Sequence, residues 1–165
     1  MRSLTRALSA TVTTTIAAVA AVGLAAPSAS AANYSSDECS ASGNNRCFTL
    51  FYNSQAGAIF ASSCFVANRD LPDLAGGPSG NGTTYYNYVF DARDLITNDL
   101  GYCDNGSGSG QPVKNNAAAG SNTLGSTVRV YYNSGYGGPY QSFAPGEIKN
   151  LNSQLKNENA SLNIV

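Results

Sequence analysis

Few residues of this chain could carry chemistry, and their spacing suits staples better than catalysis. Cysteines stand at Cys39, Cys47, Cys64 and Cys103, ten acids are scattered along the chain, and there is no histidine. Histidine is the commonest general base near neutral pH and the commonest metal ligand, so its absence excludes a hydrolase of the usual triad type. The cysteine spacings are not those of a zinc site either. Two pairs of acids are close in sequence, Asp70 with Asp73 and Asp91 with Asp94, and such a pair could in principle cleave a glycosidic bond. The first pair flanks a proline turn at Pro72, and the second interleaves Arg93 in the manner of a solvated charged loop. Gly106-Ser107-Gly108-Ser109-Gly110 lacks the Lys-Ser/Thr that a phosphate cradle requires and reads as a flexible loop. The expectation is a protein without catalytic residues, metal or cofactor.

The amino-terminal residues explain what the cysteines are for. Arg2 and Arg6 precede an apolar stretch over residues 8–26, Pro27 breaks it, and Ala29-Ser30-Ala31 has the small residues of a cleavage site. Residues 1–31 therefore read as a signal peptide and residues 32–165 as one exported domain. Export makes an even number of cysteines a disulfide framework. Three pairings are possible, and the expected one joins Cys39 to Cys47 and Cys64 to Cys103. The net charge is −1, and no basic cluster exists to attract nucleic acid or an anionic membrane. Low charge with abundant Gly, Asn, Ser and Tyr suits an all-β protein.

The elements that must position these residues come from one motif used twice. Phe51-Tyr52-Asn53-Ser54-Gln55-Ala56-Gly57 is similar to Tyr131-Tyr132-Asn133-Ser134-Gly135-Tyr136-Gly137. Asp70-Leu71-Pro72-Asp73-Leu74 parallels Glu147-Ile148-Lys149-Asn150-Leu151, and Asn116-Ala117-Ala118 parallels Asn159-Ala160-Ser161, in the same order. Unit one covers about residues 39–119, with a Gly-, Asn- and Tyr-rich loop insert around residues 76–110, and unit two about residues 127–165. Each opens on an aromatic and β-branched strand, residues 48–52 and 128–132, followed by hairpin chemistry of Asn, Ser and Gly. Second strands are expected near residues 59–66 and 139–143, and one helical turn over residues 150–156. Two such units point to a Greek-key β-sandwich.

Tyr131, Tyr136 and Gly138 fill the places of the βγ-crystallin Greek-key signature, while in unit one Ala56 and Ala58 replace the second aromatic and the glycine. Residues 108–118 and 132–140 further resemble exported actinobacterial proteins grouped with the Streptomyces metalloproteinase inhibitor family. That resemblance implies a βγ-crystallin-like sandwich with two disulfides, and an extracellular, monomeric peptidase inhibitor whose partner is a secreted zinc metalloprotease. The candidate inhibitory residues are Cys64 and Phe65, because thermolysin-like enzymes favour a bulky apolar residue after the scissile bond and a disulfide would hold the loop rigid. Cys47-Phe48 is the lesser candidate. The alternative is a non-enzymatic extracellular module that binds calcium, plays a structural part, or binds carbohydrate or cell wall. For calcium, Asn157-Glu158-Asn159-Ala160-Ser161-Leu162 keeps one hydroxyl of the expected ligand set and Asn115-Asn116-Ala117-Ala118-Ala119-Gly120 keeps none. Asn159 and Ser161 are expected instead to close a turn by bonding to backbone. For carbohydrate, Tyr85-Tyr86-Asn87-Tyr88 has the composition of a binding loop.

Overall fold

Strands form where aromatic and β-branched residues cluster, and the computed structural model describes residues 30–37, 39, 46–54, 62–78, 84–91, 103 and 107–165. The signal-peptide reading falls almost wholly outside them. The strands in chain order are β1 (Ser30–Tyr34), β2 (Ser36–Asp37), β3 (Phe48–Phe51), β4 (Cys64–Ala67), β5 (Gly76–Pro78), β6 (Thr84–Tyr88), β7 (Ala119–Asn122), β8 (Val128–Asn133), β9 (Gly137–Phe143), β10 (Ile148–Asn150) and β11 (Ser161–Ile164). The expected helical turn after β10 is a hydrogen-bonded turn, opened by the Asn152 carboxamide oxygen accepting from the amides of Gln154 and Leu155.

Among the described residues two of the three sheets build the sandwich, and each is extended by residues of the other unit. The order β10-β7-β3-β4-β2 places β10 of unit two at the edge of the unit-one sheet. Reciprocally, Leu71 of unit one bridges Leu162 on β11, beside the order β11-β8-β9. The exchange is pseudo-symmetric. The Leu74 amide donates to Ala160 O at 2.8 Å and the Leu151 amide to Ala118 O at 3.0 Å; the Asn115 amide donates to Asn159 O at 2.7 Å and the Asn157 amide to Ala117 O at 2.9 Å. Asn115 and Asn157, both left-handed at φ 62° and 60°, are thus equivalent. The third repeat therefore matches Ala117, not Asn116, to Asn159. This exchange of third strands between paired Greek keys makes the fold an all-β, βγ-crystallin-like sandwich.

Alternation along β3 and β4 sends Phe48, Leu50, Phe65 and Ala67 into the core between the sheets, with Phe48 edge-on to Phe143 at 5.1 Å. Phe51, Cys64 and Val66 point the other way, where Cys47, Cys103 and Ala119 join them in a second apolar cluster. Cys39 is bonded to Cys47 and Cys64 to Cys103, as the sequence suggested. The disulfides thus help to cover the outer face of this sheet.

The insert of unit one is not simply a loop. Its β5 and β6 combine with β1 into a third sheet, with β1 parallel to β6 and Tyr34 opposite Tyr88. β1 runs through the expected cleavage point, and Ala32 to Tyr34 keep Tyr86 to Tyr88 as partners after it. Residues 107–110, expected to be flexible, form a turn in which Gly108 lies flat on the Tyr52 ring, so close that a Cβ there would stand 2.2 Å from it.

Candidate functional site

The third sheet and the unit-one crossover enclose a groove of about 720 Å³, a size suited to a small ligand or part of a larger one. Tyr34 on β1 and Tyr86 on β6 form one wall, their rings meeting edge to face at 4.9 Å. The opposite wall is the turn between β4 and β5, with Asp70, Pro72 and Asp73. The buried Leu71 lines it as well, and Arg69 donates from Nη2 to the Tyr88 hydroxyl at 3.3 Å. Of the insert tyrosines, Tyr86 faces the groove, Tyr88 packs on Phe65 and Tyr85 is exposed. Sequence reasoning missed Tyr34, whose part is visible only once β1 is placed beside β6.

The acids of this wall are structural. Asp73 accepts from the Ala75 amide at 2.8 Å, from Lys114 Nζ and from Ser134 Oγ, both at 3.1 Å. Burial pushes its carboxyl up, but these donors and the Lys114 charge outweigh it and hold Asp73 below the usual carboxylate range. An ionised, lysine-paired carboxylate is no general acid. Asp70 accepts from the Ile164 amide at 2.8 Å. Asp91 bridges Cys64 through backbone, and Asp94 lies outside the described residues.

A smaller hollow of about 320 Å³ is lined by Tyr52, Asn53, Asn116, Lys156 and Asn157 among others, with no carboxylate in its lining. Asn159 and Ser161 are fully buried and engaged with backbone. Asn159 Oδ1 accepts from the Ala117 amide at 3.0 Å and its Nδ2 donates to Val113 O at 3.3 Å. Ser161 Oγ donates to Asn133 O at 2.6 Å and accepts from the Tyr136 amide at 3.0 Å. Among the described residues no group of three or more His, Cys, Asp or Glu could hold a metal ion.

The candidate inhibitory residues need correction. Cys64 and Phe65 are not on a loop: they begin β4, 2% and 0% exposed, and pair with Phe51 and Leu50 of β3. Presenting Phe65 to a protease would forfeit about 2–3 kcal/mol of burial and break the sheet. Cys47 and Phe48 are buried too. Tyr131, Tyr136 and Gly138 meet in the β8–β9 hairpin: the two rings lie 6.0 Å apart, and Gly138 is left-handed at φ 77°.

Comparison with known proteins adds likenesses of shape. The chain is similar to a βγ-crystallin from an archaeon (17% identity, 74% of this chain and 100% of that one, TM-score 0.41). It is also similar to a structure concerned with the evolution of the eye-lens βγ-crystallin domain fold (9%, 75% and 91%, 0.45) and to a βγ-crystallin domain from Flavobacterium johnsoniae (12%, 72% and 92%, 0.36). No protein-family model and no curated protein matches the sequence. The exchange of β10 and Leu71 between units, rather than these overlaps, defines the fold.

Proposed function

We propose that this chain is an exported, disulfide-braced βγ-crystallin-like module that binds an extracellular polysaccharide in the tyrosine-lined groove. One observation carries the reading: among the described residues the exposed large hydrophobics are Tyr34, Tyr85, Tyr132, Tyr140 and Val165. Four of the five are tyrosines, which present a flat apolar face and a hydroxyl, and the one aliphatic residue, Val165, lies outside the groove lining. Sugar rings have the matching character, an apolar C–H face with hydroxyls at the rim. Tyr34 and Tyr86 supply faces, and the Asp70 carboxylate opposite them, which uses Oδ1 to hold the Ile164 amide, supplies an acceptor. Two disulfides suit an oxidising compartment, and the amino-terminal leader supplies the route to it. The test is co-sedimentation of the secreted protein with insoluble chitin, cellulose and peptidoglycan. Retention on at least one polymer, diminished in Tyr34→Ala, is expected; no retention on any of them refutes the reading.

Inhibition of a secreted zinc metalloprotease is the second reading, and the resemblance of residues 108–118 and 132–140 supports it. It requires a loop other than Cys64-Phe65. Titration into thermolysin tests it, and no inhibition at micromolar protein would dismiss it.

A further inference from the structure

The tyrosines do not end at the groove. Pro72, in its wall, accepts the Gly135 amide at 2.7 Å, which sets the tip of the β8–β9 hairpin beside it. Next along the hairpin is Tyr136, whose hydroxyl is pushed above its usual range by burial and then by the charge of Asp70, another wall residue. Tyr136 meets Tyr131 at 6.0 Å, and Tyr131 meets Tyr140 at 5.4 Å. The Arg129 guanidinium lies over the Tyr140 ring, 4.9 Å from its centre, and steadies it. Tyr140 is 51% exposed, the most open aromatic among the described residues, although it sits on an ordered strand.

We infer that the ligand is a glycan chain of several residues, which fills the groove along the wall of Tyr34 and Tyr86, crosses Tyr136 and ends on Tyr140. The inference rests on the polysaccharide reading above and extends it from a pocket to a track. A monosaccharide or a chain end would need the groove alone. A chain of flat, equatorially linked pyranoses offers successive apolar faces, which the rings of Tyr34, Tyr86, Tyr136 and Tyr140 can meet, with the buried Tyr131 bracing the last two from beneath. Exposed rings at both ends divide the track into two sites linked by one ligand, so binding energy accumulates with chain length.

The experiment is calorimetric titration of the secreted protein with cello- and chito-oligosaccharides of two and of six residues. For the series that binds, the hexamer is expected to bind at least tenfold tighter than the dimer. Tyr140→Ala is expected to remove that gain and leave dimer affinity unchanged, whereas Tyr34→Ala weakens both. A hexamer no tighter than the dimer, or an unaltered hexamer affinity in Tyr140→Ala, overturns the track while leaving the groove. Failure of every oligosaccharide to bind removes the polysaccharide reading and the track with it. A proline-rich peptide titrated in parallel is expected not to bind, and its binding in place of the sugars would assign the surface to protein instead. Tyr140 packs on the surface, and unchanged melting of its variant separates lost binding from lost fold.

Discussion

The amide of Gly135 donates to the carbonyl of Pro72 at 2.7 Å, and this bond joins the two halves of the molecule at its candidate binding surface. Pro72 belongs to the unit-one crossover and Gly135 to the unit-two hairpin. Around them Lys114 Nζ donates to Ser134 Oγ at 2.8 Å and pairs with Asp73 at 3.1 Å. The groove and the hairpin are therefore held in one frame, although their residues are far apart in sequence.

Gly138 should resist substitution in graded fashion. At φ 77° any side chain is strained, and a Cβ would stand 2.9 Å from the Asn133 carboxamide nitrogen. Gly138→Ala is expected to cost about 1–2 kcal/mol, and Gly138→Val more, because a β-branched residue tolerates the left-handed region worst. Gly135, at φ 70°, has open space around its Cβ position, so Gly135→Ala should cost no more than the strain alone, about 1 kcal/mol. Urea denaturation of the three variants gives the order, and a Gly138→Val protein as stable as the parent would contradict the account.

Asn159 should behave as a structural residue and not as a cation ligand. Its carboxamide satisfies the buried Ala117 amide and the Val113 carbonyl. Asn159→Ala leaves the Ala117 amide without a partner, while the Val113 carbonyl keeps the Asn116 amide at 3.2 Å, and is expected to cost about 1–3 kcal/mol. Millimolar calcium should leave the melting temperature of the parent unchanged. A rise of several degrees on adding calcium, lost in the variant, would give Asn159 the other role.

Stability should fall on the acid side. A carboxylate depressed by folding stabilises the fold above its unfolded value, and that stabilisation is lost as pH drops through the folded value. Asp73 is depressed as described, and Glu147 is held low by Lys149 Nζ at 2.6 Å and by the Ala144 amide at 2.8 Å. Both act in the same window, so the melting temperature should decline as pH falls below about 4, and the decline should be shallower in Asp73→Asn. Both carboxylates are partly exposed, so the effect should shrink in high salt. A melting temperature that climbs below about pH 4 would contradict these pairings.

Much of this architecture can be read in the sequence, for reasons that particular residues make plain. Phe51 and Tyr131 occupy equivalent places, one opposite Ala119 and the other opposite Ser161, because strand register preserves the spacing of a repeat. The cysteine pairing was legible as well. The exchange of strands was not, since Leu71 and Ile148 carry no mark of which sheet they will join. A strand was expected near residues 59–66, but Phe65 misled because β4 is buried on both faces, and its Cys-Phe-Val-Ala run has no polar alternation to show which side chains are hidden. Tyr34 escaped notice because its role depends on a parallel pairing with the distant β6, which local pattern does not report.

The claim that the groove is the binding surface is tested most directly by the affinity of Tyr34→Ala for whichever polysaccharide retains the parent protein. Tyr34 is 43% exposed and sits near one end of the domain, so its loss should leave the melting temperature nearly unchanged. Removing one stacked ring costs about 0.5–1.5 kcal/mol, so affinity should fall by about two- to tenfold, while Tyr132→Ala, outside the groove lining, should bind as the parent does. Equal affinity of Tyr34→Ala and the parent, with both folded, would contradict the account.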